Sequence, residues 1–117
     1  MRIFLDDTRP TPAGYVRAYW PEEVYALLQG KEVVEEISLD HDLGDDKHGT
    51  GYDVLTWIDA QVSLNYYVPP AIIIHSSNAS GVQRMQTAAA RIRRVVEANL
   101  ANHRQWNGSF ELPPPYA

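Results

Sequence analysis

Three short apolar runs in the chain each stop at side chains that could do acid–base or metal chemistry. These side chains are Asp6 and Asp7, then Asp40, His41 and Asp42, and finally the run His75-Ser76-Ser77-Asn78. Carboxylate oxygens are the ligands that hard divalent cations prefer, and imidazole exchanges protons near neutral pH. Any one cluster could be a solvated turn, but three in one short chain favour a functional site.

The elements that carry these clusters alternate between short apolar strands and amphipathic helices. Strands are predicted over Arg2–Leu5, Tyr15–Tyr19 (a candidate edge strand), Val33–Asp40 and Ala71–Ile74. The alternation predicts an α/β fold with a three-layer arrangement around a parallel sheet. Right-handed crossovers then place the carboxyl ends of all strands at one edge, so the three polar clusters should meet in one crevice.

Local signals refine this prediction. Pro21 followed by two acids indicates the first turn of a helix, and Thr50 with Asp53 has the spacing of a capping box. The β-branched run Ala71–Ile74 is typical of a parallel strand buried on both faces. A helical apolar stripe continues from Val82 to Leu100. The chain is predicted to be one domain over residues 1–106, with a Pro-rich tail over residues 107–117.

Composition excludes several classes of protein. The 117 residues are 44% hydrophobic and 21% charged and contain no cysteine, which indicates a globular domain without disulfides or thiolate metal sites. No apolar run reaches the roughly 20 residues that cross a bilayer, and the early acids argue against a signal peptide, so we expect a cytoplasmic protein without a membrane partner. The net charge of −5 argues against a DNA-coating surface.

The charges are nevertheless segregated along the chain. Six acids and no lysine or arginine lie between Glu35 and Asp46, whereas five arginines and a single acid, Glu97, lie between Arg84 and Arg104. Acids beside a basic helix suit a metal-bound phosphate ester better than a bare anion pocket. Charge counts alone fit a solvated loop and an ordinary helix face equally well.

Four motifs together resemble a known family. They are Leu5-Asp6-Asp7-Thr8-Arg9-Pro10, Ser38-Leu39-Asp40-His41-Asp42-Leu43-Gly44, Gly51-Tyr52-Asp53 and His75-Ser76-Ser77-Asn78. This set is similar to the receiver-like domain described as cyclic-phosphate-processing, a relative of the response-regulator receiver, and it spans residues 1 to about 90. The resemblance implies a flavodoxin-like parallel sheet of about four strands. In receivers the acid pair and the central Asp hold magnesium, the central Asp accepts a phosphoryl group, and a hydroxyl residue contacts it.

The chain also departs from an ordinary receiver. Only the Pro-rich loop from Thr8 to Gly14 is available where a receiver has its first helix, and the fifth strand with its lysine is missing. The only lysines are Lys31 and Lys47. The fold should therefore be shortened. Because the chain lacks the positively charged lysine of a receiver but has His41 and His75, hydrolysis or transesterification is favoured over phosphorelay signalling.

The resulting functional prediction is a metal-dependent cyclic phosphodiesterase acting on a 2′,3′-cyclic phosphate, carried by an RNA end or a nucleotide. Mg²⁺ or Mn²⁺ would lie between Asp7 and Asp40, with Asp6 or Asp42 as a further ligand. His41 or His75 would transfer protons, and His75 is preferred because two hydroxyls follow it. The residues expected to contact the phosphate are Arg9, Ser76, Ser77 and Asn78.

Two other classes of function stay open. The domain could be a non-enzymatic module that binds a phosphorylated ligand or is phosphorylated on Asp40. A metal-independent binder of RNA ends is disfavoured by the acidic site. The sequence does not decide the natural substrate, the direction of ring opening or the oligomeric state.

Overall fold

The computed structural model describes the backbone of residues 1–107 and the side chains of residues 1–102. The elements of this part are, in chain order, β1 Arg2–Leu5, β2 Val16–Ala18, α1 Pro21–Leu28, β3 Glu36–Leu39, α2 Gly51–Asn65, β4 Ala71–Ile74 and α3 Ala79–Asn107. All strand pairs are parallel, and the spatial order is β2-β1-β3-β4. The shortened receiver-like α/β fold is therefore confirmed. The tail predicted for residues 107–117 lies, from residue 108 on, outside the described residues.

The sheet is centred on β1 and β3, and its inward-facing residues form the core. Ile3 pairs with Ile37 and Leu5 with Leu39, and all four are 0% exposed. Residues two apart on a strand point to the same face, so these four side chains form one apolar surface. All three helices contribute to the core on that surface, with Val24 from α1, Ile58 from α2 and Met85 from α3 among the buried residues.

The opposite face of the sheet differs from the three-layer prediction, because no helix within residues 1–107 packs there. Phe4 points to this face and is covered by Tyr15, whose ring centroid lies 6.1 Å away, and by the guanidinium of Arg17 at 5.7 Å. A third layer would need a helix between β1 and β2 or beyond α3. The Pro-rich loop occupies the first of these places, since proline cannot sustain a helix there.

β4 lies at an edge of the sheet, so the prediction that it is buried on both faces was wrong. Ile72 and Ile74 pack against the core, but Ile73 is 43% exposed. The physical reason is that no described strand pairs with its outer side and no described helix covers the face of Ile73. The most buried strands are β1 and β3.

The predicted helix starts are present. Pro21 occupies the first turn of α1, and the backbone N–H of Trp20 donates to Glu23 Oε1 at 3.1 Å. At the start of α2, the backbone N–H of Thr50 donates to Asp53 Oδ2 at 2.8 Å, as the capping box requires. None of the helices described up to residue 107 combines the length and apolar character that a membrane crossing requires.

Gly51 joins the loop after β3 to α2, and its surroundings leave no room for a side chain. A Cβ there would overlap the carbonyl oxygen of Asp40 and lie 2.9 Å from Met85 Cε. A backbone oxygen cannot move aside as the end of a flexible side chain can. We therefore expect Gly51→Ala to lower the free energy of unfolding by about 3 kcal/mol, measured by urea denaturation. Gly30→Ala, whose Cβ would lie 3.3 Å from Leu27 O at the end of α1, should have a clearly smaller effect; equal effects would contradict this reading of Gly51.

Candidate functional site

Parallel pairing continues one residue past three of the strands and thereby positions the site. The backbone N–H of Asp6 donates to Ala18 O at 3.2 Å, that of Asp40 to Leu5 O at 3.0 Å, and that of His75 to Leu39 O at 2.9 Å. These bonds fix the first polar residue after β1, β3 and β4 at the same edge of the sheet. The structure thus brings the three predicted polar clusters together.

The centre of this edge is a cluster of three carboxylates, Asp6, Asp7 and Asp40. One ligand oxygen from each lies within 4.8 Å of the others. Asp6 is 0% exposed and Asp40 is 9% exposed. Burying carboxylates beside one another costs free energy unless positive charge compensates. Three closely spaced oxygen donors of this kind fit Mg²⁺ or Mn²⁺, which bind carboxylates through one or two oxygens and keep further positions for water or phosphate.

Asp6 is held rigidly within the cluster. Its Oδ1 accepts backbone N–H bonds from Thr8 at 2.8 Å and Arg9 at 2.9 Å, and its Oδ2 lies 2.9 Å from His75 Nε2. Burial alone would raise the pKa of Asp6, but the N–H groups of Arg9 and Thr8 and the His75 imidazole outweigh it and hold the pKa below its usual value. Asp6 therefore stays ionised, and a carboxylate has lone pairs to spare for a cation.

Asp40 has the opposite electrostatic environment. Burial raises the pKa of Asp40, the charge of Asp6 raises it further, and a hydrogen bond from the Ser76 hydroxyl opposes both. Ionised Asp40 is thus unfavourable in the absence of a positive charge. A divalent cation between the carboxylates would favour the ionised form of Asp40.

Both ring nitrogens of His75 are bonded to protein groups. Nδ1 lies 2.7 Å from Ser38 Oγ, Nε2 lies 2.9 Å from Asp6 Oδ2, and the ring stacks on Phe4 with a centroid separation of 4.4 Å. These contacts hold the imidazole on the sheet face away from the helices. In this arrangement His75 orients Asp6. Ser38 was not singled out from the sequence, although a hydroxyl within the apolar run of β3 could have indicated a partner.

His41 is oriented by Asp42. Its Nδ1 lies 2.7 Å from Asp42 Oδ1, and its Nε2 lies 3.2 Å from Arg84 Nη2. A guanidinium can only donate, so Nε2 must accept and the ring proton must reside on Nδ1, from which it donates to Asp42. The imidazole is therefore in the tautomer whose Nε2 lone pair can take a proton. The sequence reasoning missed Arg84, which lies 43 positions further along the chain.

Asp42 and Asn78 support this second group and are not part of the carboxylate cluster. Asn78 Nδ2 donates to both Asp42 oxygens at 3.3 and 3.2 Å, and Asn78 Oδ1 accepts from the Gly81 N–H at 3.0 Å, which caps the start of α3. The His41 hydrogen bond, followed by that of Asn78, lowers the pKa of Asp42 despite the opposing effect of burial. Asp42 was predicted as a metal ligand and Asn78 as a phosphate contact, but the structure engages both with each other.

Of the remaining predicted phosphate contacts, Arg9 and Ser76 lie beside the carboxylates. Arg9 is half exposed, and its Nε is 3.9 Å from Asp6 Oδ2. Ser76 faces Asp40, and Ser77 is exposed. The backbone N–H of Asn78 donates to Ser76 Oγ at 3.2 Å. The Arg9 guanidinium and the Ser76 hydroxyl are therefore close to any phosphate that approaches the carboxylate cluster.

Comparison with known families decides what kind of domain this is. A family model described as cyclic-phosphate processing receiver domain matches residues 1–91. The chain belongs to that family. The match contains all four motifs and every side chain of the site described above. This cyclic-phosphate processing receiver domain has no match among curated proteins or solved structures. The family name implies a role in cyclic-phosphate processing.

Proposed function

We propose that this receiver domain is an enzyme that opens 2′,3′-cyclic phosphates by metal-assisted hydrolysis. The observation that carries the proposal is that a carboxylate cluster and an oriented imidazole both lie at the same edge of the sheet. The cluster is that of Asp6, Asp7 and Asp40, and the imidazole is that of His41, held by Asp42 in the tautomer that can accept a proton. Ring opening by water is accelerated by a cation that neutralises charge on the phosphate and by a base that takes a proton from the water.

Asp6, Asp7 and Asp40 would hold the cation, which the donor set suggests is Mg²⁺ or Mn²⁺. When bound, it would neutralise charge on a nonbridging phosphate oxygen as the transition state forms. Four protein groups prepare this site. His75 and the N–H groups of Thr8 and Arg9 fix Asp6, and Ser76 favours the ionised form of Asp40.

The protein groups around the phosphate have separate tasks. Arg9, whose Nε lies 3.9 Å from Asp6 Oδ2, and the exposed Ser77, which follows Ser76 in the chain, would donate hydrogen bonds to the phosphate. His41 would take a proton from the attacking water as the water oxygen bonds to phosphorus. The bond from phosphorus to one ribose oxygen then breaks, and that oxygen receives the proton, which leaves a phosphomonoester and a free hydroxyl. Asp42 stabilises the imidazolium that exists between these steps.

This assignment chooses His41 as the acid–base group, whereas the sequence allows either histidine in that role. The sequence favours His75 as the acid–base group, but both of its ring nitrogens are hydrogen-bonded within the protein, to Ser38 Oγ and Asp6 Oδ2. His41 has one fixed partner, Asp42, and one partner on a long exposed side chain, Arg84. The Arg84 side chain can turn toward the phosphate and uncover Nε2.

The proposal is tested by incubating the protein with uridine 2′,3′-cyclic phosphate and following the products by liquid chromatography. We expect uridine monophosphate with Mg²⁺ or Mn²⁺ and none after chelation of the cation. Asp46→Asn is a matched control, because Asp46 is an exposed acid of the same loop outside the carboxylate cluster; it should be fully active. An unchanged substrate in every divalent cation would refute the enzyme proposal.

The competing function is a phosphorylation switch on Asp40. It is suggested by the resemblance of the Asp6, Asp7 and Asp40 cluster to the phosphoacceptor site of receivers. The chain has only two lysines, Lys31 and Lys47, and both are exposed, so neither is a buried partner for an aspartyl phosphate. Incubation with acetyl phosphate and Mg²⁺ followed by intact-mass measurement should leave the protein unmodified. A phosphoryl adduct that Asp40→Asn abolishes would favour the switch.

A further inference from the structure

A groove of about 650 Å³ runs between α2 and α3. Its charged lining is three arginines, Arg84, Arg91 and Arg94, against one acid, Asp59. This excess of positive charge contrasts with the net charge of −5 of the whole chain. A basic groove on an acidic protein is a local electrostatic feature that attracts anions while the remaining surface repels them.

The three arginines form one row. They lie at intervals of seven and three residues, which places them on one side of α3, and Arg84 and Arg94 are about 15 Å apart along the helix axis. Arg91 Nε is 3.0 Å from Asp59 Oδ2, whereas Arg94 has no ion pair among the described side chains. All three arginines are exposed. The row is therefore long enough for several successive anionic groups and is only partly neutralised.

One end of the groove is the candidate active site. Arg84 Nη2 lies 3.2 Å from His41 Nε2, and the Arg84 guanidinium lies 5.8 Å from the centroid of the Tyr52 ring. Tyr52 lines the groove and is 37% exposed. An extended ligand whose reacting end lies at His41 would thus meet an aromatic ring first and the arginine row beyond it.

We propose that this groove binds the strand of a single-stranded RNA whose 3′ end carries the cyclic phosphate. The proposal rests on the proposed function, which supplies the identity of the reacting end. A 2′,3′-cyclic phosphate requires a ribose with a 2′-hydroxyl in the terminal nucleotide, and the 3′ end of an RNA strand supplies one. Its phosphates would pair with Arg91 and Arg94, and its terminal bases would stack on Tyr52. The preferred substrate is then an RNA end and not a free cyclic nucleotide.

The binding test uses a fluorescent oligouridylate that ends in a 2′,3′-cyclic phosphate, with affinity measured by anisotropy at several salt concentrations. Arg91→Ala combined with Arg94→Ala should weaken binding about tenfold and reduce the salt slope by about 1.4, the expectation for losing two single-strand phosphate contacts. Arg93→Ala is the matched control. It removes the same charge from the same helix, but Arg93 lines a separate pocket with Ile92 and Val96.

Two further variants test the details of the groove. Asp59→Asn removes the acid that competes for Arg91 and should tighten binding of the oligonucleotide by about threefold. Tyr52→Ala should weaken it about tenfold, whereas Tyr52→Phe, which keeps the stacking surface, should bind like the wild type. The proposal would be overturned if Arg93→Ala lowered the affinity for the oligonucleotide as much as the double arginine variant does. It would also be overturned if the double arginine variant bound the oligonucleotide like the wild type.

The kinetic test separates this proposal from the proposed function. We expect the kcat/KM for the oligonucleotide to exceed that for uridine 2′,3′-cyclic phosphate, and this ratio to fall about tenfold in the double arginine variant. Equal kcat/KM values for both substrates would overturn the groove proposal while leaving ring opening intact. Conversely, oligonucleotide binding that depends on the arginine row without any turnover would refute ring opening and support the groove.

Discussion

Replacing Asp40 with asparagine should abolish divalent-cation binding and make the metal-free protein more stable. Asp40 supplies one of the three clustered carboxylates, so its loss should weaken cation affinity by more than about 100-fold. Burial and the charge of Asp6 raise the pKa of Asp40, which means that its ionised form opposes folding. The asparagine side chain keeps the shape without the charge.

The pH dependence of this stability gain has a definite sign. The folded-state pKa of Asp40 lies above its ordinary value of 3.8, so protonated Asp40 stabilises the folded wild-type protein at low pH. This stabilisation is lost as the pH rises through the raised pKa. The variant does not titrate at this position. Its advantage in free energy of unfolding should therefore be absent below pH 3.8, grow as the pH rises through that raised pKa and persist at neutral pH.

Two measurements check the expected behaviour of Asp40→Asn. Calorimetric titration with Mg²⁺ and Mn²⁺ gives the affinities, and urea denaturation with a chelator at several pH values gives the stability. Asp46→Asn, which removes an exposed acid of the same loop, should change neither quantity appreciably. Unchanged cation affinity in Asp40→Asn would show that the cation binds elsewhere.

Removing the imidazole of His41 should lower turnover of a cyclic phosphate by about 10²–10⁴-fold and leave cation affinity unchanged. This range is the usual contribution of a general base. His41 is buried beside Gly81, so His41→Ala could also lower stability, and His41→Gln keeps most of the volume while removing the proton acceptor. Both variants should show the same loss of turnover, measured by liquid chromatography at saturating cation.

His75→Ala should behave differently, because His75 acts through Asp6. Losing its hydrogen bond to Asp6 Oδ2 should weaken cation affinity by about 10–100-fold, the usual effect of removing a group that orients a ligand. Turnover should then recover substantially at high cation concentration. A loss of turnover in His75→Ala that no cation concentration restores, with His41→Gln fully active, would return the acid–base role to His75 as the sequence suggested.

The sequence was sufficient for the order of strands and helices and for their parallel pairing, because the signals for these features are local. Each of these signals depends on residues within a few positions of one another: the apolar run of β1, the proline at the start of α1, and the capping box of Thr50 and Asp53. The parallel topology then followed from the alternation of strands and helices, and it placed Asp6, Asp40 and His75 at one edge. The motif resemblance extended this to a receiver-like domain, which the family match over residues 1–91 confirms.

The side-chain partners could not be predicted, because they depend on tertiary register. Ser38 bonds to His75 only because β4 pairs with β3 so that His75 follows the residue opposite Leu39. Arg84 meets His41 because the start of α3 lies against the loop after β3. The exposure of β4 was missed for a similar reason: an apolar run does not reveal whether another strand will pair beside it.

The most direct test of the account is a crystal of the protein with Mn²⁺ and uridine 2′,3′-cyclic phosphate, using Asp42→Asn to slow turnover. The anomalous signal of manganese locates the cation independently of any assumption about ligands. The account predicts a manganese peak bound by Asp6, Asp7 and Asp40, with a cyclic-phosphate oxygen among its other ligands and His41 Nε2 facing the phosphorus. A cyclic phosphate bound away from these carboxylates, or a carboxylate cluster without manganese at saturating concentration, would contradict it.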